Sequence, residues 1–274
     1  MTVASPAQVR PTSAEAVAEA LRAADSAGHA VMPVGGGTHL DLGMPPARQD
    51  VLLSTVGLNR VVEYEPADLT VTVEAGMRFM DLQAMLREQG QMVALDPPVA
   101  AESTIGGVVA ANLSGPVRFA HGTARDLVIG TRVANANGTL TRAGGRVVKN
   151  VAGYDLNKLY IGSLGTLGVI VELGFKLAPI PPSTATLVGQ FASQDDVRTV
   201  VRGVLHSPLS PLAVELLGPR AAADAGLPSA TLLVLRAGGY AEAVQRQVRD
   251  LGELIAGHGG VRLEAPDSAW DDVA

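Results

Sequence analysis

Ala14, Val17, Ala18 and Leu21 recur at three- and four-residue spacing, and this stripe predicts a helix that ends near Gly28. Thr12 and Glu15 have capping-box spacing at its start. Residues 30–34 then read as a short strand that runs straight into Gly35, Gly36 and Gly37. Strand patterns follow at 51–53 and 61–64, and residues 69–74 alternate with period two. Phe79, Leu82, Met85 and Leu86 mark a second helix, stopped by Gly90, and 92–95 reads as a further strand. Asp96-Pro97-Pro98 is a stiff turn, because each proline restricts the residue before it. One or two helical turns are expected over 108–112, and residues 128–134 and 139–142 form a hairpin whose Asn137-Gly138 is a primed-turn pair.

The stretch 149–179, KNVAGYDLNKLYIGSLGTLGVIVELGFKLAP, organises the chain. Gly162, Gly165 and Gly168 are spaced three apart, and Val169, Ile170, Val171 and Leu173 form a strand that holds this loop rigid. Two readings stand side by side: a tight packing turn, or a cradle in which backbone approaches a ligand. Gly35–37 carries the same pair of readings, a flexible turn or a nest of successive N–H groups around a pyrophosphate. It is neither a GxGxxG fingerprint nor a Walker A loop. Ser103 and Thr104 before Ile105-Gly106-Gly107 read as an ordinary capped helix or as an anion site. Lys149, Tyr154, Asp155 and Lys158 read as a buried structural network, with Leu156, Leu159 and Ile161 as apolar anchors around it.

Pro179, Pro181 and Pro182 mark a boundary. Beyond it come a strand at 185–191, a helix carrying Val197, Val200, Val201 and Val204 after the Ser193/Asp196 cap, and strands at 211–217 and 231–235. A helix at 241–255 and a strand at 261–263 complete a βαββαβ order, the ferredoxin-like pattern. The fold class is therefore α+β, with domains 1–180 and 181–274.

Composition narrows the chemistry. The chain has 274 residues, 47% hydrophobic and only 3% aromatic, enough for a core of Val, Leu, Ala and Ile. A net charge of −6 without a basic stripe argues against nucleic acid as partner. Cysteine is absent, which excludes disulfides, thiolate chemistry, cysteinyl flavin and iron–sulfur ligation by this chain. No apolar run of 18 residues exists and the N-terminus lacks a signal-type apolar segment, so the expected compartment is the cytoplasm, with peripheral attachment to the inner membrane only through partners.

Three blocks in order carry a resemblance: PVGGGTHLDLG at 33–43, STIGGVVAANLSGP at 103–116 and VVKNVAGYDLNKLYIGSLGTLGVI at 147–170. Over residues 5–180 the chain resembles the flavin-binding domain of the vanillyl-alcohol-oxidase/PCMH-type FAD-binding superfamily and, within it, the FAD-binding E subunits of bacterial glycolate oxidases. The resemblance implies a PCMH-type FAD-binding domain of two α+β subdomains, followed by a ferredoxin-like cap, shortened where the chain ends at DSAWDDVA. It implies one FAD, wrapped at its diphosphate by Gly35, Gly36, Gly37, Thr38, His39 and Leu40. Pro97, Ser103, Thr104, Gly106, Gly107 and Ala111 would run beside the diphosphate and flavin, with Gly165, Gly168 and Ile170 opposite. His121 would lie near the ring, and Arg118 and His121 are the catalytic candidates. Some members tether flavin through a histidine of the diphosphate loop; Thr38 holds that place here, so the cofactor is expected to be non-covalent. Where many relatives have an acid in the glycine loop, this chain has Leu164.

The implied role is an FAD-binding subunit of a glycolate or 2-hydroxy-acid oxidase complex, beside a catalytic flavoprotein subunit and an iron–sulfur subunit, with a small 2-hydroxy acid as the substrate of the complex. A self-sufficient FAD oxidoreductase of a small hydroxy acid or alcohol and a non-catalytic structural subunit are the alternatives. No metal site is expected.

Overall fold

In the computed structural model the described residues are 6–145, 154–264 and 270. They divide into two units, one from 1–114 and 123–179, the other from 115–122 and 180–274. The short segment 115–122, expected inside the first domain, thus belongs with the second unit.

The first unit has two main sheets. Ala7–Val9 and Val31–Val34 flank Val51–Ser54 in a parallel three-stranded sheet. Parallel strands need a crossover, and helix Ala14–Ser26 supplies it, burying Ala14, Val17, Ala18, Leu21 and Ala24. Its cap is Ser13 rather than Thr12: Ser13 has the extended backbone an N-cap needs and accepts from Ala16 N at 3.1 Å.

Five antiparallel strands form the second sheet, in the order Val61–Glu65, Thr70–Glu74, Val169–Lys176, Val128–Ala134, Leu140–Gly144. The central strand Val169–Lys176 is buried on both faces, which is why its sequence runs apolar without strict alternation. Val169 and Val171 pack with the helix Ala14–Ser26, whereas Ile170, Leu173 and Phe175 enter the larger core with Leu82, Leu86 and Ile105. The pairing with Val128–Ala134 skips a residue between Ile170 and Glu172. Such a bulge shifts the two-residue period, so Glu172 points to the same side as Val171. Arg132 meets it there at 2.5 Å and also reaches Glu15 on the helix at 2.7 Å, while Arg142 lies 3.4 Å from Glu172.

Several local expectations change. The hairpin turn is not of the primed kind: Gly138 has φ +76° but Asn137 is not left-handed, and Gly138 N donates to Asn135 O. That is a three-residue loop closed by a left-handed glycine. The strand expected at 92–95 contracts to Gln91–Met92, paired with Ala178–Pro179. Val93 instead exchanges both backbone hydrogen bonds with the Gln83 side chain, at 2.9 and 3.0 Å. Lys149 lies outside the described residues, and the rest of its expected network is not buried. Tyr154 is 92% exposed, and Asp155 and Lys158 pair at 2.8 Å while about half exposed. Leu156 and Leu159 are exposed too; of the three anchors only Ile161 is buried.

The second unit has the four-strand order Ala213–Leu217, Thr231–Gly239, Ser183–Phe191, Val261–Leu263, all antiparallel. This is the ferredoxin-like pairing of a βαββαβ chain. Helices Gln194–Leu205 and Ala241–Gly257 bury Val197, Val200, Val204, Leu251 and Ile255 against one face. The other face packs Val188, Leu232 and Val234 with Trp270, whose indole donates to Thr186 Oγ1 at 3.0 Å.

Candidate functional site

Three segments of the first unit converge on one cleft of about 180 Å³: residues 32–42 after the strand Val31–Val34, the helix Ile105–Ala110 with its flanks, and the glycine loop 164–170. Their mutual docking is dictated by backbone hydrogen bonds. Gly162 N and Leu164 N donate to Val109 O and Ala110 O at 3.1 and 2.8 Å, the second of these a carbonyl left open at the helix C-terminus. The strand Val169–Lys176 then anchors the far end of the loop in the main sheet.

The loop after Val34 presses against the segment before the helix. A Cβ on Gly35 would lie 2.1 Å from Thr104 Oγ1, and one on Gly36 would lie 2.0 Å from Glu102 O. These two glycines are therefore required by protein packing, so the loop is not the flexible turn that was one of its two readings. Gly37 turns the chain with φ +76° and leaves open space at its own Cβ.

Among the described residues, none of the backbone amides of Gly35, Gly36, Gly37, Thr38, His39 and Leu40 donates to a group of the protein. A run of amides without a protein acceptor beside a cleft leaves donors that could serve an anion. The start of the helix contrasts with it. Ile105 N donates to Met77 O at 2.9 Å, Gly106 N to Ala75 O at 2.8 Å and Gly107 N to the Thr104 side chain at 3.3 Å. The donors of that helix end are spent on the turn that follows the strand Thr70–Glu74 and on its own cap, which favours the ordinary capped helix.

Of the residues expected at a cofactor site, the structure brings Gly35, Gly36, Gly37, Thr38, His39, Leu40, Thr104, Gly106, Gly107, Ala111, Gly165, Gly168 and Ile170 to the cleft wall. Pro97 and Ser103 are buried and do not line it. Ser103 donates to Val99 O at 2.9 Å and lies 3.2 Å from Thr38 Oγ1, which in turn lies 2.9 Å from His39 Nδ1. Val99 has φ +53°, an unusual strain for a β-branched residue. Arg118 and His121 belong to the second unit, where Arg118 Nη2 lies 3.9 Å from Glu215 Oε1. Burial raises the Glu215 carboxyl above the ordinary glutamate range, and the Arg118 guanidinium partly offsets this.

The wall also contains Met32, Pro33, Val34, Leu42, Thr55, Ala110, Leu164 and Val169, which the sequence reading did not assign. Adjacency to the glycine runs could have flagged Pro33, Val34 and Leu164; Thr55 comes from a separate strand and carries no local signal. Among the described residues, His39 is the one titratable side chain in the wall, and no Asp, Glu, Lys or Arg lines it. The donor-rich loop suits a diphosphate, and the apolar flanks of Leu42, Leu164 and Ile170 suit flat aromatic groups, so the residues fit FAD. No cluster of three or more His, Cys, Asp or Glu is placed to hold a metal among the described residues, and none of the described helices is long and apolar enough to cross a membrane.

A family model described as an FAD binding domain matches residues 5–144. The chain is 32% identical over 229 residues to the glycolate oxidase subunit GlcD of Bacillus subtilis (strain 168), covering 81% of this chain and 49% of that protein. It is 39% identical over 154 residues to the glycolate oxidase subunit GlcE of Escherichia coli (strain K12), covering 56% and 44%. A D-2-hydroxyglutarate dehydrogenase of Xanthomonas citri pv. viticola is 37% identical over 179 residues, 65% of this chain and 38% of the relative. The chain thus spans about half the length, or less, of these curated relatives. Among solved structures, alkyldihydroxyacetonephosphate synthase has the same fold with a TM-score of 0.79 at 19% identity, covering 97% of this chain and 54% of that one. p-Cresol methylhydroxylase matches with a TM-score of 0.78 at 18% identity, covering 93% and 57%. With the family model spanning half the chain and the glycine-lined cleft where its blocks meet, this protein belongs to the PCMH-type FAD-binding domain family, and FAD is its cofactor.

Proposed function

We propose that the chain holds FAD non-covalently in the first-unit cleft and serves as a flavin-binding subunit of a 2-hydroxy-acid dehydrogenase complex of the glycolate oxidase kind. The observation that carries the reading is the run of six free amides from Gly35 to Leu40 at the wall of a cleft without acidic side chains. Those amides hold the diphosphate, and Gly165, Gly168 and Ile170 line the opposite wall. Oxidation of a 2-hydroxy acid to its 2-oxo acid passes two electrons to the bound flavin. The similarity to two proteins named as glycolate oxidase subunits supports a partnered role; a catalytic flavoprotein and an iron–sulfur subunit are the partners we propose.

Among the described residues the cleft wall offers no carboxylate clamp, since none of them is Arg or Lys, and the one candidate base is His39. Substrate binding therefore falls to groups outside that wall, and the isolated chain is expected to turn over 2-hydroxy acids poorly. Anaerobic mixing of the purified yellow chain with glycolate, D-lactate and L-lactate, alone and with candidate partner subunits, tests this. Flavin reduction that appears only with a partner supports the subunit role. Bleaching within seconds in the isolated chain would replace it with a self-sufficient oxidoreductase, and a colourless chain that takes up no FAD would leave only a structural role.

A further inference from the structure

The hydrogen-bond chain behind the nest has a fixed direction. Val99 O can only accept, so the Ser103 hydroxyl spends its proton there. Ser103 Oγ then accepts from Thr38, whose own proton is spent in turn. Thr38 Oγ1 is left to accept from His39, so His39 Nδ1 carries a hydrogen whether the ring is neutral or charged. Proton gain and loss are confined to Nε2. A neutral ring offers only a lone pair at that nitrogen, and a phosphate oxygen cannot pair with it. A protonated ring offers a charged donor without breaking any bond of the chain.

Among the described residues, the surroundings make this the only source of a full positive charge at the wall. The strand Val31–Val34, the helix Ile105–Ala110, the glycine loop 162–168 and Thr55 bring no charged side chain to the cleft. Asp41 on the same loop and Glu102 on the facing segment are exposed and do not line it. A diphosphate carries negative charge that the backbone amides solvate but do not neutralise.

We propose that His39 is the cationic anchor of the diphosphate subsite, taking up one proton from solvent at Nε2 as the anion binds, so that FAD affinity is linked to pH. This rests on the FAD reading of the cleft. Thr38 and Ser103 act as positioning residues, since they aim the ring and fix its tautomer.

The test uses the full chain stripped of flavin, titrated with FAD and, separately, with riboflavin, which lacks the diphosphate, at pH 6 and pH 8 by flavin fluorescence. The wild type should bind FAD at least about fivefold more weakly at pH 8, within the one-proton limit of about tenfold per pH unit. His39→Gln should bind at pH 6 as weakly as the wild type at pH 8, with no pH dependence of its own. His39→Lys, a permanent cation over this range, should bind tightly at both values. Riboflavin binding should not respond to pH. Long-range ¹H–¹⁵N correlations should show the His39 hydrogen on Nδ1 in the neutral ring. Equal wild-type affinity at both pH values, a slope that survives His39→Gln, or a neutral ring protonated at Nε2 overturns the proposal while leaving the cofactor reading intact. Failure of the wild type to bind FAD at either pH overturns the cofactor reading itself.

Discussion

Gly36 sits so close to Glu102 that a Cβ on it would lie 2.0 Å from the Glu102 carbonyl oxygen, and its neighbour Gly35 is equally hemmed in by Thr104. The two segments that close one side of the cleft are thus in backbone contact before any ligand arrives. Gly36→Ala must force them apart. It should cost about 1–3 kcal/mol in the flavin-free protein and lower the flavin-to-protein ratio after purification. Gly218→Ala, whose Cβ would meet nothing within 4 Å, is the control. A normal melting temperature and a full flavin content in Gly36→Ala would refute the contact as a requirement of the site.

Arg132 bridges Glu172 on the central strand and Glu15 on the helix Ala14–Ser26. Arg132→Met leaves Glu172, largely buried, with Arg142 as its remaining cation at 3.4 Å. The expected loss is about 3 kcal/mol in chemical denaturation. Adding Glu172→Leu should recover much of it, because the uncompensated charge goes as well. A double variant no more stable than the single one would show that packing, and not charge burial, sets the cost.

Glu215 titrates with the opposite sign to a salt-bridged carboxylate. Burial raises its pKa in the folded chain, with Arg118 as a partial offset. The folded state therefore holds this proton more tightly than the unfolded state. Stability from that proton is present below the unfolded value, about 4.3, and is lost as pH rises through the raised value. Glu215→Gln should raise the stability of the second unit at pH 7 and leave it unchanged near pH 4, while Arg118→Ala should lower it at pH 7. Thermal melts at both pH values check the signs, and a Glu215→Gln benefit that persists unchanged at pH 4 would be inconsistent with burial of the charge as its source.

No cysteine is available to tether flavin, and His39 Nδ1 is engaged by Thr38. Acid precipitation should release all the yellow colour into the supernatant. Colour retained in the washed pellet would contradict a non-covalent site.

The glycine blocks announced the cleft because tight backbone approach needs glycine wherever it occurs, and the runs at 35–37 and 162–168 are dense enough to read locally. The βαββαβ order was legible for a similar reason: its helices carry valines at helical spacing, and its strands have clear ends. What stayed hidden was set by partners distant in sequence. Nothing near Gly106 says that its amide is taken by Ala75, so the choice between a capped helix and an anion site stayed open in the sequence. The ion cluster of Arg132, Arg142 and Glu172 depends on cross-strand register and on one bulge. Leu156 and Leu159 looked like anchors because they are large and apolar, and Tyr154 like part of a buried network, yet side-chain character alone does not fix which way a short irregular segment faces.

Trp270, the only tryptophan, is seated in the second unit against Val188, Leu232 and Val234. The proposed flavin site lies wholly in the first unit. Each unit therefore has its own optical label: indole emission follows the loss of the second unit, and flavin emission follows the release of cofactor by the first. A single heating experiment read at two wavelengths can show whether the units melt together or apart, without any added dye or substitution. Coincident curves would mean that one cooperative transition governs both. Separated curves would assign each of the stability changes predicted above to the unit in which it arises.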